Sequence, residues 1–139
     1  MSTKLTIYLY ICPLVTALIS LFYSFMQRFI QTLDLIDNPD LIKEYIDLHT
    51  RVWPEILQGI RQVGISRMDI YNLSNRLVMI LELPDGADFD EVMNNLASLP
   101  RQREWEEYVG KFQNCISKST SAGKWQRMTK IFSLDPAES

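Results

Sequence analysis

Residues 68–83, Met68-Asp69-Ile70-Tyr71-Asn72-Leu73-Ser74-Asn75-Arg76-Leu77-Val78-Met79-Ile80-Leu81-Glu82-Leu83, decide the fold. Met68–Leu73 and Leu77–Leu83 are short runs rich in apolar and aromatic residues. Ser74-Asn75-Arg76 between them is short and polar, so the stretch reads as two antiparallel strands joined by a tight turn. Pro84-Asp85-Gly86 then closes the second run with a turn.

Upstream of this hairpin, apolar residues recur at Leu41, Ile42, Tyr45, Leu48, Val52, Ile56, Leu57 and Ile60, a helical period. Asp37 or Asn38 can cap that helix and Pro39 suits its first position. Pro54 predicts a kink or restart near Trp53, and Gly64 suits the residue just beyond the end. Before the helix, Arg28–Leu35 reads as a strand. Downstream, Phe89, Val92, Met93, Leu96 and Leu99 carry a second helical stripe that Pro100 breaks. Arg101–Cys115 follows as a further helix with Trp105, Tyr108, Val109 and Phe112 on one side. Ile116–Gly123 reads as a polar loop and Trp125–Leu134 as a closing strand. The order β-α-β-β-α-β is the ferredoxin-like, α+β arrangement, an antiparallel sheet with helices on one face. A second copy is the natural cover for the other face, giving a dimeric α/β barrel with twofold symmetry. The architecture hosts many functions and names none.

The single histidine, His49, lies in Glu44-Tyr45-Ile46-Asp47-Leu48-His49-Thr50-Arg51-Val52-Trp53-Pro54-Glu55. On a continuous helix Tyr45, His49 and Trp53 share one face. Aromatic rings around a side chain that titrates near neutral pH suit a small polyhydroxylated ligand. The rings cover its C–H face and the imidazole moves a proton. The stripe also reads as plain core with one satisfied histidine.

Composition narrows the classes. The chain has 139 residues, a formal charge of −3 and a sequence pI of about 5.1. It has no Lys/Arg run and no basic aromatic patch, which argues against nucleic acid. Cys12 and Cys115 form neither CxxC nor a Cys/His ligand pattern, and a lone histidine does not make a catalytic zinc site. No GxGxxG or GxxxxGK loop occurs. The expectation is chemistry without metal or cofactor.

Residues 5–27 carry no charge and are long enough to span a bilayer. They make a poor cleavable signal, since no A-x-A site follows. A strand begins only two residues beyond them, and Met26 stands where a start would be expected. Residues 1–25 therefore read as an upstream-start extension, with a membrane anchor as the alternative. Residues 26–135 are the working domain, 136–139 a tail, and the expected location is the cytoplasm.

The run Glu44-Tyr45-x-x-x-His49-x-x-x-Trp53-Pro54-Glu55 resembles the signature of the L-rhamnose mutarotase family. Glu104-Trp105-Glu106-Glu107-Tyr108 is a weaker match to the same family, and the similarity extends over Met26 to Leu134. The resemblance implies a dimeric ferredoxin-like fold and a pocket over the sheet in which 6-deoxyhexose anomers interconvert. It makes His49 the general acid/base and places Tyr45 and Trp105 against the sugar, with Trp53 of the aromatic stripe as a further substrate-binding candidate. Two positions depart from the family pattern. Glu106 stands where a second adjacent tryptophan is expected, and Met68 where a tyrosine is expected, so the sugar can be L-fucose as well as L-rhamnose.

Mutarotation needs proton transfers only, which suits one histidine. A second transfer group could be Tyr45, Asp69 or Glu82. Trp53, just before Pro54, reads first as packing the helix onto the sheet and Trp105 equally as an anchor, Glu104, Glu106 and Glu107 as a solvated face, and Arg51 and Arg67 as surface charges. The competing classes are a non-catalytic dimeric module that binds a small ligand, and a cofactor-free monooxygenase of the same architecture.

Overall fold

The computed structural model describes residues 26–115 and 121–135; the 1–25 extension and the 136–139 tail lie outside the described residues. Strand β1 (Met26–Asp34) leads into helix α1 (Pro39–His49) and helix α2 (Pro54–Gln62). Strands β2 (Arg67–Leu73) and β3 (Arg76–Pro84) form the hairpin. Helices α3 (Phe89–Ser98) and α4 (Gln102–Gly110), a short turn α5 (Ser121–Lys124) and strand β4 (Gln126–Arg127) complete the chain. The four strands lie in the order β2-β3-β1-β4, all neighbours antiparallel. This is the expected β-α-β-β-α-β frame, with each helical crossover doubled by a proline.

Local chemistry explains the breaks. Asn38, not Asp37, caps α1: its side chain accepts from the backbone N–H of Asp40 at 2.9 Å and Leu41 at 3.2 Å. Pro39 follows at the first turn, where a missing N–H costs nothing. Pro54 does not bend one long helix but starts a new one, with Trp53 in extended backbone (φ −58°, ψ 136°) as its preceding residue. Gly64 takes φ +94° just beyond α2, a conformation that L side chains resist. Asp88 caps α3 by accepting from the Glu91 N–H at 2.8 Å.

Strand alternation sends Leu33, Leu35, Leu77, Met79, Leu81 and Leu83 toward the helices, where all six are buried. They pack with Tyr45, Ile56, Trp105, Val109, Phe112 and Trp125 in one cluster, and with Ile65, Met93 and Leu96 in the other. The opposite sheet face carries Ile30, Val78 and Ile80, with Tyr71 beside them. Ion pairs flank this apolar strip at both ends: Arg28 with Glu82 at 2.8 Å, and Arg76 with Asp34 at 2.8 Å.

The C-terminal expectation needs correction. Trp125–Leu134 is not a full strand; only Gln126 and Arg127 pair, with Thr32 and Gln31, and the Met128 N–H reaches the Ile30 carbonyl at 2.8 Å. Beyond it the chain leaves the sheet edge, and Ile131, Phe132 and Leu134 are exposed. Apolar composition marks a segment fit for a strand, but a strand needs a partner edge, which no local pattern supplies. The end of the expected loop, residues 121–123, falls in the helical turn Ser121–Lys124, while 116–120 lie outside the described residues. Among the described residues no helix is long and apolar enough to cross a membrane.

Candidate active site

Between the sheet and the four main helices lies a cavity of about 560 Å³. Tyr45 and His49 from α1, Trp105 and Val109 from α4, Met68 from β2, Met79 from β3 and Trp125 line it. Ile56 and Ile60 of α2 and Met93 and Leu96 of α3 close its sides. Among the polar lining residues, Gln102 and Gln113 are buried, while Arg61, Ser66, Arg67 and Asp69 border the cavity. An apolar chamber with a few convergent polar groups is the usual form of a small-ligand site.

Helical spacing puts Tyr45 and His49 together, one turn apart at the end of α1. Their ring centroids are 4.2 Å apart, and the Trp105 ring stands edge-on to the imidazole at 5.6 Å. His49 Nδ1 lies 2.8 Å from the Tyr45 backbone carbonyl oxygen. A carbonyl can only accept, so Nδ1 carries the proton in this bond and Nε2 keeps its lone pair. Burial holds the imidazole below its ordinary pKa of 6.5, outweighing the opposing effect of that hydrogen bond. At neutral pH His49 is thus a neutral ring with one basic nitrogen.

Tyr45 is 3% exposed. Burial raises its hydroxyl to about 12, against the opposing effect of a hydrogen bond from the Gln113 side chain. It therefore stays protonated throughout the physiological range, a donor and potential acid.

Trp53 is not where the helical stripe placed it. Because α1 ends at His49, Trp53 leaves that face and does not line the cavity. It stands behind Trp105, with ring centroids 5.2 Å apart, parallel to Tyr108 at 6.2 Å. The Arg101 guanidinium sits 4.4 Å over its ring and bonds Glu55 at 2.9 Å. Trp53 thus buttresses the wall that Trp105 presents.

Of the three candidates for a second proton-transfer group, Asp69 borders the cavity, but strand parity directs its side chain and that of Glu82 to the sheet face away from His49. Asp69 pairs with Arg67, and Glu82 with Arg28 and Arg67. Tyr45 remains on the cavity side. Glu106 also departs from expectation: it is buried, not part of a solvated face, and accepts from the Gln102 amide at 3.1 Å. Arg67 is exposed at the cavity edge and Arg51 is exposed.

The sequence reading overlooked Gln102 and Gln113. The signal was present, since both fall on the helical stripe that includes Trp105 and Val109, and a polar residue on a buried face stands out. Trp125 was visible only as part of a strand, and the chain end brings it to the cavity.

With this geometry in view, comparisons place the chain. The profile of the L-rhamnose mutarotase family matches residues 28–134. An L-fucose mutarotase of Xanthomonas campestris pv. campestris is 35% identical over 118 residues, which cover 82% of this chain and 93% of that protein. Among solved structures, the L-rhamnose mutarotase FA22100 of Formosa agariphila superposes with a TM-score of 0.59 at 16% identity, covering 78% of this chain and 99% of that one. Tetracenomycin F2 cyclase of Streptomyces glaucescens superposes at 0.53 with 14% identity and the same coverages, a likeness of fold alone. The match over residues 28–134 and the identity to the Xanthomonas enzyme lead to one conclusion: the chain belongs to the L-rhamnose mutarotase family.

Proposed function

We propose that the protein interconverts the α and β anomers of a 6-deoxyhexose in this cavity, with His49 and Tyr45 moving the protons. His49 Nε2 takes the proton from the anomeric hydroxyl while the Tyr45 hydroxyl protonates the ring oxygen. The C1–ring oxygen bond breaks and leaves the open-chain aldehyde. Rotation about C1–C2 exposes the other carbonyl face; as the ring closes, the tyrosinate takes back the proton of the attacking hydroxyl and the imidazolium returns its own to the carbonyl oxygen. Each step is a proton transfer over a short path, the kind that a positioned base of near-neutral pKa accelerates about 10²–10⁴-fold. Trp105 and Val109 offer a flat apolar wall to the C–H face of the sugar.

One observation carries this reading: the bond from His49 Nδ1 to the Tyr45 carbonyl leaves Nε2 as the basic atom of a histidine that lines the cavity. L-Fucose is the sugar we place first. Identity to an L-fucose mutarotase supports it, as do Met68 and Glu106, the two positions where the family's rhamnose pattern is not kept.

The working unit is a homodimer closed over the second sheet face, with Ile30, Val78 and Ile80 at the contact and the flanking ion pairs as its rim. It acts in the cytoplasm, where its sugar is free in solution. Exchange NMR on L-fucose and L-rhamnose, with and without protein, tests the activity. Faster exchange between anomer signals is expected. Saturable sugar binding with no change in exchange rate would leave a binding module in place of the enzyme.

A further inference from the structure

Gln113 follows α4 and is held rigidly: Leu35 and Gln113 form an isolated antiparallel bridge, and the Asn114 N–H donates to the Asp34 carbonyl at 2.8 Å. Its side chain lines the cavity, and the residue is 8% exposed. Its side chain bonds the Tyr45 hydroxyl, and because its Oε1 is buried with no partner among the described residues, the amide N–H is the donor. Leaving a buried acceptor unpaired is unfavourable, so a fold has reason to keep one only where something else supplies the proton. Gln102 has a parallel arrangement. The Glu106 carboxylate can only accept, so the Gln102 Nε2 is turned toward it at 3.1 Å, and Gln102 lines the same cavity at 5% exposure.

We propose that Gln113 and Gln102 are the hydroxyl-reading residues of the cavity, with Gln113 Oε1 accepting from one sugar hydroxyl. In both residues an amide N–H is engaged within the protein, which orients the amide oxygen as an acceptor. A polyol supplies the missing donors, whereas an apolar ligand of the same size leaves Gln113 Oε1 unpaired. Because the Gln113 amide donates to Tyr45, the Tyr45 oxygen has an acceptor lone pair engaged and its own proton remains to donate. Gln113 thus reads the substrate and also orients the acid. Glu106 acts through Gln102 as a positioning residue.

The assignment rests on the mutarotase reading, and its test separates the two. Anomer exchange is measured for L-fucose and its 2-, 3- and 4-deoxy derivatives with the parent protein and with Gln113→Met. Methionine keeps the volume and removes the amide. Since it also removes a buried unpaired acceptor, thermal stability should be unchanged or raised. The kcat/KM for L-fucose should fall about 10–100-fold. For one deoxy derivative, parent and variant should agree within about twofold, because the contact is already gone. Glu106→Gln, which lets the Gln102 amide turn over, should raise KM with kcat nearly kept. A parent protein that accelerates exchange of none of the sugars defeats the mutarotase reading itself. An active parent with an equally active Gln113→Met, a variant losing the same factor on every derivative, or a variant that fails to fold each overturns the role of Gln113 alone.

Discussion

His49 Nδ1 and the backbone carbonyl of Tyr45, one helical turn before it, stand 2.8 Å apart. That contact selects the tautomer and aims the basic Nε2 away from its own helix. The helix C-terminus favours a protonated imidazole, but burial disfavours it more, and the net shift is downward.

A His49→Asn protein should therefore keep the fold and lose anomer exchange by about 10²–10⁴-fold. The parent rate should rise with pH through a value below 6.5 and stay level through neutrality. A folded variant that exchanges anomers at the parent rate would refute the assignment of His49 as base.

Stability should follow the same group. The unfolded imidazole binds its proton near 6.5 and the folded one only at lower pH, so the unfolded state holds more protons in that window. Stability contributed by neutral His49 is present above about 6.5 and declines as pH falls through the window. Denaturant melts at pH 7.5 and 5 should show a smaller acid loss in His49→Asn than in the parent.

Tyr45 titrates in the opposite sense. Its folded value of about 12 exceeds the usual 10.0, so the unfolded state deprotonates first on the alkaline side. Its stabilisation is complete below 10 and lost as pH rises toward 12, roughly 2–3 kcal/mol in all. Tyr45→Phe should lose this alkaline dependence, retain the core packing, and slow anomer exchange by about 10²-fold.

Trp53 and Trp105 should separate cleanly. Trp53→Ala is expected to cost about 2 kcal/mol of stability while leaving KM within about threefold, because Trp53 braces the wall from behind. Trp105→Leu should raise KM about tenfold or more, since its ring lines the cavity. Equal KM effects in the two variants would contradict this division of roles.

The half-buried apolar strip of the open sheet face should make the protein dimeric. Sedimentation at micromolar concentration should give twice the chain mass. Ile80→Lys at the centre of the strip should yield a folded monomer. A monomeric parent would remove the dimer from the proposal.

Order and type of elements follow from signals that act within a few residues. Apolar period, proline placement, a capping asparagine and a glycine able to take positive φ are local effects, so the hairpin, the helix breaks at Pro54 and Pro100 and the β-α-β-β-α-β frame were legible in the chain. So was the Tyr45–His49 pair, because four residues on a helix fix their proximity. The rest depended on long-range contacts. Whether Trp53 continued the aromatic stripe turned on which side of a helix break it fell. Whether residues 128–134 formed a strand turned on a partner edge. Glu106 looked like one of three solvated carboxylates until packing buried it beside Gln102. The unpaired oxygen of Gln113 is likewise a property of its surroundings, because only the assembled fold decides which buried polar atoms find partners and which remain to meet a ligand.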